Sequence, residues 1–71
     1  MPEYLEVLFP RTRPVLINGE NMGDTNTLLE LEGGVYVVKL APPLDFTPGQ
    51  QLINLRNTAP LNPLQVQFQE L

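Results

Sequence analysis

Residues 28–40 read LLELEGGVYVVKL, and their periodicity decides the fold class. Leu29 and Leu31 share one face of an extended chain, while Leu28, Glu30 and Glu32 share the other. Residues 35–40 repeat the pattern, with Tyr36, Val38 and Leu40 on one side and Val35, Val37 and Lys39 on the other. A period of two marks a half-buried strand, because successive side chains leave a strand on opposite faces. The second run is rich in β-branched and aromatic residues, the strongest strand formers, and is predicted to be a central strand. Gly33-Gly34 between the two runs predicts a hairpin turn.

The same period extends in both directions. Upstream, residues 4–9 alternate with Leu5, Val7 and Phe9 on one face, and residues 15–18 form a short β-branched run. Asn18-Gly19 follows, a dipeptide suited to the positive φ angles of a tight hairpin. Downstream, Pro42-Pro43 ends the central strand, since proline donates nothing to a ladder, and residues 42–49 form a long connection closed by Pro48-Gly49. Residues 50–56 predict a strand with Ile53 and Leu55 inward, and residues 64–68 another with Leu64, Val66 and Phe68 inward. No window of helical length shows a 3.6-residue period free of Pro, Gly or β-branched clusters. The expectation is an all-β fold, a small antiparallel β-sandwich of six to seven short strands, with residues 1–71 as one domain. Its expected core is Leu5, Val7, Phe9, Val15, Ile17, Leu29, Leu31, Tyr36, Val38, Leu40, Phe46, Ile53, Leu55, Leu64, Val66 and Phe68.

Composition narrows the chemistry. The chain has no Cys, His, Ser or Trp. Disulfides, thiolate metal sites, serine or cysteine nucleophiles and imidazole bases are therefore all absent. The Thr residues have no base beside them in sequence, and no paired carboxylates in a shared cleft are evident, so no enzyme activity and no cofactor are expected. Four Lys and Arg face eight Asp and Glu, a net charge of −4. Nucleic acid and anionic membrane surfaces both call for clustered cations, and neither is expected as a partner. The N-terminus carries Glu3 and Glu6 rather than a basic n-region, and no apolar run approaches membrane-spanning length. A cytoplasmic location is expected, unless the chain is an excised domain.

The order of several features resembles the PEGA domain family. These are the run Val15-Leu16-Ile17-Asn18-Gly19, then Gly23 and Thr25, the Leu29/Leu31 alternation, Gly34, Tyr36-Val37-Val38, and more weakly Phe46-Thr47-Pro48. The similarity covers roughly residues 8–68. The family's usual Pro after the Thr is Asn26 here, its Pro-Glu-Gly-Ala run is absent, and the Gly turn is doubled. The resemblance implies a compact antiparallel β-sandwich acting as a non-catalytic accessory or interaction module.

Three candidate sites emerge. In the polar stretch 18–26, Glu20, Asn21, Asp24 and Asn26 offer oxygens of the kind Ca²⁺ takes, which makes a small ligand- or Ca²⁺-binding module the alternative reading. The spacing does not fit an EF-hand, and hairpins favour the same residues, so turn chemistry is the expected role and no metal site is assigned. Arg11 and Arg13 flank Thr12 between two prolines, as an anion- or carboxylate-binding loop or as a solvated connection; Arg56 could pair with a carboxylate across strands, a structural role. Finally, Tyr4, Leu8, Leu16, Leu28, Val35 and Val37 fall opposite the expected core. Single exposed apolar residues mean little, but several on one sheet would form a partner-binding patch. The strand near the C-terminal end, at residues 64–70, presents only Gln outward and suits strand addition if it lies at an edge. The expected function is binding to another protein or self-association through a sheet face or edge, with no small-molecule ligand.

Overall fold

The computed structural model describes residues 2–71. Nine strands follow one another: β1 (Pro2–Leu8), β2 (Pro14–Ile17), β3 (Glu20–Asp24), β4 (Leu28–Glu32), β5 (Gly34–Leu40), β6 (Phe46–Thr47), β7 (Gln51–Leu55), β8 (Leu64–Gln67) and β9 (Gln69–Glu70). A first sheet has the order β4-β1-β8, a second the order β3-β2-β5-β7, and β6 and β9 form a two-stranded clasp. Every ladder is antiparallel except β1–β8, which is parallel. The result is a small all-β, sandwich-like fold without a helix among the described residues.

The two larger sheets enclose one core. Leu5, Val7, Leu29, Leu31 and Val66 come from the first sheet, and Val15, Ile17, Val38, Leu40, Ile53 and Leu55 from the second. Phe9, Phe46 and Phe68 close one end as an edge-to-face row, with centroids 6.4 and 5.7 Å apart. All fourteen buried apolar residues belong to the expected core, and of them only Phe46, in the two-residue β6, is not placed there by alternation. Tyr36 and Leu64 differ from expectation in being only partly buried against this cluster. β5 is indeed central, with β2 on one side and β7 on the other.

Three strands go beyond the six runs legible as alternation: β3, β6 and β9. β6 and β9 have two residues each, too few to show a period. In β3 the register against β2 shifts between Val15 and Leu16, so that Val15 faces Gly23 and Leu16 faces Asn21. Met22 is the extra residue of a β-bulge, which interrupts alternation. The expected Asn18-Gly19 hairpin is present, with φ of 51° and 84°, and joins β2 to β3. Gly33-Gly34 is not a hairpin. β4 pairs with β1 while β5 pairs with β2 and β7, so the two glycines carry the chain from one sheet to the other.

Candidate interaction surfaces

The six apolar residues expected to form a patch are divided between opposite outer faces. Tyr4, Leu8 and Leu28 lie on the first sheet, where each faces a polar neighbour: Tyr4 opposite Glu30, Leu28 opposite Glu6 and Leu8 opposite Gln67. That face is a mixed, ordinary surface. Leu16, Val35 and Val37 lie on the second sheet, where Val37 sits directly opposite Leu52. Side chains so paired have Cβ atoms about 5 Å apart, which makes Val35, Val37 and Leu52 contiguous. Val35 is 58% and Leu52 72% exposed. Lys39, opposite Leu16, and Asn54, opposite Val35, border the strip. Leu52 belongs to this surface although it was not among the six; alternation in residues 51–55 against Ile53 and Leu55 carried the signal. Leu44 and Leu61 are also exposed, in proline-rich loops where no period exists to reveal them.

The polar stretch 18–26 does not converge on one point. It is a turn and a strand rather than a loop. Glu20 and Asp24 stand at opposite ends of β3, about 13 Å apart at the usual strand rise. Asn21 Oδ1 accepts a local hydrogen bond from Gly23 N (3.1 Å). Asn26, at φ 62°, pairs its side chain with the backbone of Phe9: Nδ2 donates to Phe9 O (2.7 Å) and Oδ1 accepts from Phe9 N (3.2 Å). Its amide thus stands in for a strand residue. Among the described residues no group of three or more carboxylates is close enough to hold a metal ion.

Arg13 is not a solvated connection; it binds a carboxylate, and that carboxylate is the chain's own Asp45. The Arg13 side chain is 11% exposed and lies over the Phe9 ring, 5.3 Å from the centroid. Nη1 donates to Asp45 Oδ1 (2.8 Å) and Pro43 O (3.1 Å), and Nη2 donates to Asp45 Oδ2 (3.2 Å). This bidentate fork, stacked on an aromatic ring, is a geometry that Arg supports and Lys does not. It ties the 41–45 connection to the core, and hydrogen bonding to Arg13 lowers the Asp45 pKa below its ordinary value. Arg11 pairs with Glu70 beside the clasp. Arg56 donates to Asn54 Oδ1 (2.7 Å) on its own side of the strand rather than to a carboxylate. At the other end Glu3 Oε1 accepts from both the hydroxyl (2.6 Å) and the amide (2.9 Å) of Thr58, which lowers the Glu3 pKa. These are structural contacts, all partnered within the chain.

The strand at residues 64–70 is broken in two. β8 lies at the edge of the first sheet, but Gln51 Nε2 donates to Gln67 O (2.8 Å) and so covers part of that edge, and β9 is paired with β6. Among the described residues no helix is long and apolar enough to cross a membrane. No protein-family model, curated protein or solved structure matches the chain.

Proposed function

We propose that this chain is a non-catalytic interaction module that binds another protein, or a second copy of itself, through the outer face of the second sheet. The observation that carries this reading is the contiguous strip Val35, Val37 and Leu52 on an otherwise finished domain whose core is closed on the opposite side of the same strands. Contiguous exposed apolar surface marks partner sites on small proteins. Support also comes from the contacts of Glu3, Arg11, Arg13 and Asp45, which are bonded within the chain. The PEGA resemblance of residues 8–68 points the same way, towards an accessory domain.

A photo-crosslinking residue in place of Leu52, compared with one in place of Gln65 on the first sheet, tests the reading in cells. Crosslinks from position 52 that are abolished by Val35→Lys are the expected result. Equal labelling from both positions, together with a strict monomer by light scattering across concentration, would overturn it.

A further inference from the structure

Each of the two larger sheets ends in two outer strands: β4 and β8 bound the first, β3 and β7 the second. Three of these edges are defended. β3 is bulged and carries Glu20 and Asp24; its Gly23 N donates to Asn21 Oδ1 (3.1 Å) and its Asp24 O accepts from Thr27 Oγ1 (2.8 Å). β4 carries Glu30 and Glu32, and the Glu32 carbonyl accepts from the Tyr36 hydroxyl (2.6 Å). On β8 the Gln67 carbonyl accepts from Gln51 Nε2 (2.8 Å). Bulges, charges and covered groups keep a sheet edge from pairing with another chain. β7, Gln51-Leu52-Ile53-Asn54-Leu55, has no charge and no Pro, and its register against β5 runs unshifted from Gly34↔Leu55 to Val38↔Gln51.

The ladders fix which β7 groups stay open. Asn18 N donates to Val37 O (2.9 Å), Val37 N donates to Asn18 Oδ1 (2.9 Å), and Ala41 N donates to Pro14 O (3.0 Å). Val37 therefore turns its backbone groups towards the β2 side. Successive residues of a strand bond to opposite sides, so Gly34, Tyr36 and Val38 turn theirs towards β7, onto Leu55, Ile53 and Gln51. The N–H and C=O of Leu52 and Asn54 consequently point away from β5, off the edge of the sheet. Among the described residues no hydrogen bond reaches them.

The composition of the strand selects the occupant. Antiparallel pairing of two β7 strands centred on Ile53 sets the whole strand opposite itself, with Leu52 against Asn54 of the other copy. Leu52 and Asn54 are the residues whose backbone groups face outward, so this register uses every open N–H and C=O of both copies. No like charges meet. The nearest charge is Arg56, whose Nε donates to Asn54 Oδ1 (2.7 Å), and the two Arg56 residues would stand about 20 Å apart along the paired strands, beyond the reach of charges at physiological salt. Leu52, exposed in the single copy, gains the other Leu52 as a diagonal neighbour. The same pairing of two β4 strands centred on Glu30 would set Glu30 against Glu30, which is destabilising.

We infer that two copies of this chain join edge to edge by antiparallel β7–β7 pairing, which merges their second sheets into one continuous sheet. The inference goes beyond the outer-face reading: it uses the edge of the second sheet and leaves Val35 and Val37 of both copies open on the same side. A strand of this length makes an interface below the roughly 1,200 Å² of standard complexes, so the dimer is weak and concentration-dependent.

The test is sedimentation of the chain from about 10 μM to about 1 mM, with amide hydrogen exchange followed at both ends of that range. A monomer–dimer equilibrium is expected, in which the Leu52 and Asn54 amides become protected as concentration rises, while those of Ile53 and Leu55, already bonded to β5, change little. Asn54→Pro removes an edge donor from each copy and should weaken association about ten-fold; proline is tolerated where its position faces off a sheet edge. Should that variant unfold, Leu52→Lys, at an exposed position, puts a cation on the edge and should weaken association at least as much. Val35→Lys, one strand in from the edge, should leave association unchanged. A strict monomer across the range, whether the edge then stays open or takes a strand of a different protein, would overturn the inference. So would a dimer with unprotected Leu52 and Asn54 amides, or parent-like association of the folded edge variants. None of these alone touches the outer-face reading, whereas loss of association in Val35→Lys would move the contact to the outer face and overturn the edge pairing only.

Discussion

Among the described residues Thr25 is the one buried polar residue, 1% exposed. Its hydroxyl donates to Arg11 O (2.7 Å) and accepts from Arg13 N (2.9 Å), while its own amide donates to Arg13 O (2.9 Å). One side chain thus satisfies both backbone groups of a segment that β2 has not yet begun to pair. Thr25→Val keeps shape and burial and removes only the hydroxyl, leaving a donor and an acceptor without partners. An unsatisfied buried group costs about 1–3 kcal/mol, so urea unfolding should show a loss of about 2–3 kcal/mol. Thr25→Ser keeps both bonds and loses one methyl, and should cost only about 1 kcal/mol. A Val variant as stable as the Ser variant would show that the hydroxyl is not the stabilising group.

At the scale of elements, β5 carries the second sheet. Val38 faces Ile17 on one side and Gln51 on the other and is fully buried. Val38→Ala should cost roughly 2–4 kcal/mol, as other large-to-small core changes do. Val35→Ala, on the outer face of the same strand, should cost well under 1 kcal/mol; similar thermal melts for the two would contradict the burial of Val38. What was legible here was the side each residue takes, because alternation is a local property of the chain. Which strand lies next to which was not. Residues 28–32 alternate equally well as the partner of β5 or of β1, and the choice of β1 depends on contacts more than twenty residues away. The same distance hid the roles of Asn26 and Arg13, whose partners lie 17 and 32 residues away. The outward residues of the second sheet were readable, Leu52 included, once Ile53 and Leu55 were set inward.

At the scale of the whole molecule, two carboxylates fasten loops at opposite ends, and both make the fold sensitive to acid. Asp45 takes the Arg13 fork and Glu3 takes two donors from Thr58, and each has its pKa lowered in the folded chain. In the unfolded chain these groups take up protons near their ordinary values of about 4. Between those values and the lower folded ones the unfolded chain binds more protons than the folded one, so stability falls as pH falls. Their contribution is fully present above about pH 5 and disappears as pH drops through the folded pKa values. A domain this small buries only about 60% of its unfolded surface and has no disulfide to hold its ends, so losing either fastening should show in the melting temperature. Thermal melts of the parent chain should be level from about pH 7 to 5 and decline below about pH 4. Asp45→Asn should melt at a lower temperature at neutral pH, because it cancels the charge that Arg13 faces, and should decline less steeply in acid. Coincident acid limbs for the parent and Asp45→Asn would show that Asp45 is not a source of the decline, leaving Glu3 at the opposite end, where Glu3→Gln makes the same comparison.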